Sequence, residues 1–334
     1  MARFREIVSW TAKGEHPLLE KSSGKTTAHQ ILTQAGADFD VIYPAARWWD
    51  SSGELSVDEY PVPMDGDSLN DSPLYKWVVR ADTGDVLGLH SGNYPTLPNY
   101  GYLADVAEEL FPNSAVSCTV FGKGERIALS QQLQDPVDLG GGDLIQPSLL
   151  WITSFNAQWA TAVHDNIGRL FCMNQLVGNK PIFKVRHTKN HNVMLEVRSQ
   201  IVMDHMKRAE AFTNMARILK DQDFTNEQFN IMVKNLVPDP IPHKDEKGVP
   251  LPITEMQWFP VKDKRKVFKD RWVKEVEQFG SNDVGGNRWL AYNAIQGAEQ
   301  HDLGRGETSD ERSFLRAIEG KTTFSDKALS LLRA

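Results

Sequence analysis

The sequence predicts an α+β protein, with a mainly antiparallel sheet, helices packed on it and a helical C-terminal part. Three observations carry this. Between residues 39 and 190 the apolar residues fall in short runs separated by turn signals. From Met194 onward they recur every three or four positions, the helical period. The two patterns are segregated along the chain rather than alternating, which argues against a doubly wound parallel sheet.

Taken in order, TTAHQILTQAG reads as a short helix with Thr26 or Thr27 as N-cap, ending at Gly36. SGKTT resembles the end of a phosphate-binding loop. The Gly that such a loop requires is replaced by Leu19, so capping is the better reading. Residues 39–43 read as a strand, followed by an aromatic corner at Trp48 and Trp49 and a polar, acidic loop over 50–73. YKWVVRADTGDVLGLHSGNY gives strand, turn and strand, with Thr83-Gly84 as the turn. Residues 102–110 form an amphipathic helix closed by Pro112, and 115–121 and 126–132 pair as a hairpin around Gly122-Lys123-Gly124. Gly140-Gly141-Gly142 is a loop or bulge. Residues 149–155 are a buried-type strand that 159–163 extends into a sheet.

Residues 170–176 fit a short helix or a strand, and 182–187 a strand with Lys184 and Arg186 on one face and Phe183 and Val185 on the other. A long amphipathic helix follows through His205, Arg208, Phe212 and Leu219. Thr225 and Gln228 form a capping box that opens a helix to Leu236. The prolines of 237–254 exclude regular structure. Helices over 264–279 and 288–300 and a last helical piece over 327–332 complete the chain. The expected organisation is an α+β core domain over 1–236, a Pro-rich loop or linker over 237–254, and a helical part over 255–334 packed on the core.

Composition narrows the function classes. The chain has 334 residues, 40% of them hydrophobic, and nine Trp, enough for a substantial core. No apolar run reaches the length of a membrane span, and the first residues lack an apolar signal core, so a cytoplasmic protein is expected. Cys118 and Cys172, the two cysteines, cannot make a disulfide framework. Charge is uneven. Residues 1–150 carry 10 Lys/Arg against 21 Asp/Glu, whereas residues 169–220 carry 10 against 3. A basic patch on an acidic body is compatible with phosphate binding.

Several blocks, in order, carry a family resemblance: TTAHQILTQAGADFDV, VLGLHSGNYPTLPNYGYLADVAEEL, GRLFCMNQL (Arg169, Cys172, Asn174, Leu176), KVRHTKNH and RWLAYNAIQGAEQHD (Trp289, Asn293, Ala294, His301). Through them the chain resembles the phage/plasmid-like proteins grouped as domain-of-unknown-function family 932. It departs from the family pattern at His164-Asp165-Asn166, where many members have Ser or His, Asp and Gly, and in the Pro-rich 237–254. The resemblance implies a phage- or plasmid-borne cytoplasmic protein, set among replication and recombination genes.

Four site chemistries are weighed on the residues. His187 and His191 have the spacing of some zinc ligands, with Cys172 and His164 to complete a set, but a strand and its turn do not give helical geometry and no paired-Cys motif supports it. No metal and no cofactor is expected. A Cys172 nucleophile with His164 or His187 and Asp165 as orienter has the right groups, but LFCMN is an apolar setting for an inert thiol. Asp65, Asp67 and Asp71 cluster as a solvated acidic loop. A nucleic-acid-binding surface is the leading expectation. Its candidates are Arg169, Lys184, Arg186, Lys189, Arg198, Lys207 and Arg208 for phosphates, with His187 and His191 beside them. The expected partner is DNA in single-stranded form, held by a non-enzymatic accessory protein of replication or recombination that can assemble as a homo-oligomer. Two alternatives stand beside it: an interaction protein that modulates a host factor through its acidic half, and a Cys/His enzyme.

Overall fold

The computed structural model describes residues 5–6, 26–45, 75–94, 97, 99–169, 175–177, 181–185, 198–244, 246–280, 285–303, 318 and 323–333. In chain order its strands are β1 (Arg5–Glu6), β2 (Val41–Ile42), β3 (Tyr75–Arg80), β4 (Val86–Ser91), β5 (Ala115–Phe121), β6 (Arg126–Gln132), β7 (Val137–Asp138), β8 (Leu144–Ser154), β9 (Thr161–Arg169), β10 (Gln175–Val177), β11 (Phe183–Val185), β12 (Asp223–Phe224) and β13 (Gly286–Asn287). The helices are α1 (Ala28–Ala35), α2 (Tyr100–Leu110), α3 (Arg198–Lys220), α4 (Asn226–Leu236), α5 (Glu255–Phe279), α6 (Arg288–Gly297) and α7 (Thr323–Arg333), with a π-helical turn at Ala298–Asp302. The pairings β1–β5, β5–β6, β6–β8, β7–β8, β9–β10, β9–β11, β2–β3, β3–β4 and β12–β13 are antiparallel, and with the seven described helices beside them the protein is α+β.

The chain divides into two compact units. The first comprises Met1–Gln134, Ser148–Asp165 and Lys180–His205. Here β5, β6, β8 and β9 run side by side, with β1 on β5 and β11 on β9, and β2, β3 and β4 form a separate three-stranded sheet. The α1 helix begins at a full capping box. Thr27 Oγ1 accepts from the Gln30 amide and Gln30 Oε1 accepts from the Thr27 amide, which satisfies two otherwise orphaned donors. It ends at Gly36, whose φ of +65° is the left-handed conformation that glycine reaches without a Cβ penalty. Its apolar face (Ala28, Ile31, Leu32) joins Tyr100, Leu103 and Ala104 of α2 and Cys118, Ile127, Leu149, Trp151 and Val163 of the sheet in one core. A buried polar chain fixes α2 to that core. Trp151 Nε1 donates to Gln131 Oε1 at 2.9 Å, and Gln131 Nε2 donates to the Ala107 carbonyl at 2.7 Å. Gly88 in β4 is required by close approach, because a Cβ there would lie 2.8 Å from the Phe155 carbonyl oxygen.

The second unit comprises Asp135–Pro147, Asn166–Asn179 and Met206–Ala334. In it β7 pairs with the first residues of β8, and β10 with the last residues of β9. Its core gathers Phe229 and Met232 of α4, Phe268 and Trp272 of α5, Trp289, Leu290 and Tyr292 of α6, and Ala328 and Leu332 of α7. Phe229 and Trp272 stack with ring centroids 4.6 Å apart, and Trp272 Nε1 donates to Asn226 Oδ1. Leu139, just before the glycine loop, and Ile145 of β8 and Ile167 of β9, after it, join the same core.

Element boundaries differ from expectation in instructive places. Residues 175–177 are strand, one of the two readings that the sequence allowed, and α3 is described from Arg198. The α5 helix starts nine residues before the expected 264, at a Thr254–Gln257 capping box, and passes through Pro260. Proline removes one donor and crowds the carbonyl four residues earlier, but this stretch is exposed, where water takes that carbonyl.

Candidate nucleic-acid interface and buried polar clusters

Three of the candidate cations are on the surface. Lys184 is exposed at the middle of β11, between Phe183 and Val185, which pack against the first core as the two-residue period requires. Lys207 and Arg208 are exposed on α3, in the second unit. They are joined there by the exposed Arg217 and by Lys220, whose ammonium donates to the Gly140 carbonyl. The sequence of α3 carries five Lys or Arg against two Asp or Glu. Arg198 is its first residue. Arg186, His187, Lys189 and His191 lie outside the described residues, as do Cys172 and the acidic loop at Asp65, Asp67 and Asp71.

Arg169 is placed differently. It is 3% exposed and sits at the end of β9 inside an ion-pair cluster. Its Nε and Nη2 donate to the two oxygens of Asp143 at 2.6 and 2.9 Å, and its Nη1 donates to Glu275 Oε2 at 2.5 Å. Trp289 Nε1 adds a hydrogen bond to Asp143 Oδ2, and the Phe279 ring lies 4.4 Å from the guanidinium carbon. A guanidinium committed to two carboxylates in the interior cannot meet a phosphate, so Arg169 leaves the set of contact candidates. Its fork geometry suits the bidentate hold on Asp143, and that hold anchors the chain directly after the three glycines 140–142, all with positive φ.

A second buried pair lies in the first unit. Asp165 Oδ1 is 2.8 Å from His205 Nδ1, and both residues are buried. His205 Nε2 has no hydrogen-bond partner among the described residues. Asp165, the acid expected to orient a histidine, thus pairs with His205 of α3, while His187 lies outside the described residues. In the β3–β4 hairpin, Lys76 faces His90 across the strands. The His90 ring lies 4.1 Å from the Tyr94 ring at a tilt of 51°, and burial lowers its pKa. The Phe155 carbonyl opposes that shift by its proximity, without making a well-aligned hydrogen bond. Burial also lowers Lys76, which donates to the Tyr94 carbonyl.

A third polar group lines the end of α6 and the π-turn. Glu299 accepts from the Phe324 and Ser325 amides and from Ser325 Oγ. It thereby places a carboxylate on the amides that open α7, where the helix dipole favours negative charge. Among the described residues no three His, Cys, Asp or Glu side chains come together as a metal-binding group, and no helix is long and apolar enough to cross a membrane.

The sequence reading missed Asp143, Glu275, Trp289 and His205. A signal for two of them was present: Glu275 and His205 each sit on the apolar face of a helix, one turn from Trp272 and Ala209, where an unpaired polar group is too costly to leave. No curated protein and no solved structure matches the chain. Residues 86–324, well over half of its length, match the family described as Domain of unknown function (DUF932), and the chain belongs to that family.

Proposed function

We propose that the protein is a DNA-binding accessory factor of phage or plasmid replication and recombination, and that it holds single-stranded DNA without covalent chemistry. The observation that carries this reading is the exposed cationic surface of α3, with Lys207, Arg208 and Arg217 on one long helix of an otherwise acidic protein. Lys184 on β11 adds a cation in the first unit. Phosphate binding draws on such cations irrespective of base sequence. The setting among replication and recombination genes comes from the family resemblance, as does the cytoplasm as the place of action.

Fluorescence anisotropy with labelled single- and double-stranded oligonucleotides tests this. The expected result is binding that prefers the single strand, weakens with added salt and is lost by tenfold or more in the Lys184→Glu/Lys207→Glu/Arg208→Glu variant. Absence of binding at micromolar protein, or binding indifferent to the three reversals, rejects it.

A second reading is an interaction protein. It is supported by Met203, Met206 and Ile218, which α3 leaves about half exposed among the same cations. A helix of this kind also suits the groove of a protein partner. Affinity capture from host lysate that depends on Met206 and Ile218, together with no DNA binding, would favour it.

A further inference from the structure

The α5 helix carries a second surface that the basic strand and α3 do not explain. Only Phe268, Trp272 and Glu275 of its 25 residues are buried. Its first turns stand in solvent, with Met256 85% and Phe259 71% exposed. A phenylalanine so exposed near the start of a long, well-capped helix has no role in the core. This end of the helix is also held in place. Arg265 donates through Nε and Nη2 to the Val237 carbonyl at 2.9 and 2.7 Å, and to Asp239 at 2.6 Å.

At about 100° per residue, Trp258, Phe259, Lys262, Lys266 and Lys269 fall within a sector of roughly 100°. Lys262 Nζ is 5.9 Å from the Trp258 ring centroid and pairs with Glu255 at 3.1 Å. Lys266 and Lys269 are exposed and make no ion pair among the described residues. Glu255, the partner of Lys262, also falls in the sector, and Asp263 and Asp270 flank it on the Phe259 side. A groove-binding protein partner would require the apolar row to continue at the next positions along this face. Here the next positions are Lys262 and Asp263, then Lys266, Lys269 and Asp270, and an apolar residue returns on this face only at Val273. An exposed Phe259 beside the half-buried Trp258, with the cations Lys266 and Lys269 along the same face, is the combination that single-stranded nucleic acid uses, with bases on the ring and phosphates on the ammonium groups.

We infer that Trp258, Phe259, Lys262, Lys266 and Lys269 form a stacking platform for single-stranded DNA. This deepens the proposed function, on which it rests, by naming a base-contacting surface separate from Lys184, Lys207 and Arg208. Bases stack on Phe259, and Lys266 and Lys269 carry the strand along the helix.

The test uses the full chain with fluorescein-labelled oligo(dT) of about 20 nucleotides and an abasic strand of the same length, a size spanning several stacking sites. Phe259→Ala is expected to weaken oligo(dT) binding at least fivefold and to leave the abasic strand unchanged, while Phe259→Tyr retains wild-type affinity. Lys266→Glu/Lys269→Glu is expected to weaken both strands tenfold. Thermal unfolding followed by circular dichroism checks that each variant folds. Three results overturn the platform: wild-type affinity in both α5 variants while the Lys184/Lys207/Arg208 reversals abolish binding, equal losses on the two strands for Phe259→Ala, or unchanged DNA binding with an altered sedimentation coefficient, which would make the patch a contact between copies. The first and third leave the proposed function standing. No binding by the wild-type protein removes both.

Discussion

Arg169 is held by Asp143 and Glu275 in the interior, and its removal would strand both carboxylates. Breaking a buried pair from one side costs about 3–5 kcal/mol, more than the pair itself contributes, because the remaining charge keeps its desolvation cost. Arg169→Ala is therefore expected to lower the urea midpoint sharply, and Arg169→Lys to recover little, since an ammonium cannot span two carboxylates. Burial at Cys118 pushes its thiol up to about 12. In a Cys172→Ala background this thiol is expected to resist a disulfide reagent at pH 8 until the protein is unfolded in urea. His90 gives a pH dependence of definite sign. Its folded pKa is lowered, chiefly by burial, so below the unfolded value of about 6.5 the unfolded chain binds more protons. Stability falls as pH drops from 7 toward 5, and the fall is expected to be smaller in His90→Phe, measured by urea unfolding at each pH. The sequence showed where the charged and apolar residues were. It did not show that Arg169 meets partners 26 and 106 positions away, because nothing local marks a long-range ion pair.

At the level of elements, the legible features are those written in short-range chemistry. Thr27, Thr225 and their glutamine partners signal helix starts three residues apart, and both boxes form. The hairpins at Gly84 and at residues 122–124 follow from turn residues with positive φ. The start of α5 was hidden because the prolines at 250, 252 and 260 overshadow the same signature at Thr254. That capping box makes Thr254→Ala a test of the helix end carrying Phe259. The substitution is expected to cost about 1 kcal/mol, measured by urea unfolding, and to weaken oligo(dT) binding along with it. The β8 strand was recognisable as buried, yet its first residues belong to the other unit, a fact that apolar runs do not encode.

For the whole molecule, fold class was readable because segregated strand and helix periods leave few architectures. The division into units was not, since segments 135–147 and 166–179 join the helical core through tertiary contacts alone. Of the candidate surface, the exposure of Lys184 could be read from strand alternation, whereas the helical period put Arg208 on the apolar stripe with His205 and Phe212 although it is exposed, and the burial of Arg169 depends on Asp143 and Glu275 from two distant segments. The central claim is that phosphate contacts by Lys184, Lys207 and Arg208 bind single-stranded DNA. It predicts a linear fall of log affinity with log salt, since each single-strand phosphate contact adds about 0.7 to the slope. The most direct measurement is a titration of oligo(dT) between 50 and 200 mM salt, a range over which such contacts register strongly. The Lys184→Glu/Lys207→Glu/Arg208→Glu variant is expected to bind more weakly and to lose about 2 from that slope, whereas an unchanged slope in the variant, or a wild-type affinity that ignores salt, would contradict the account.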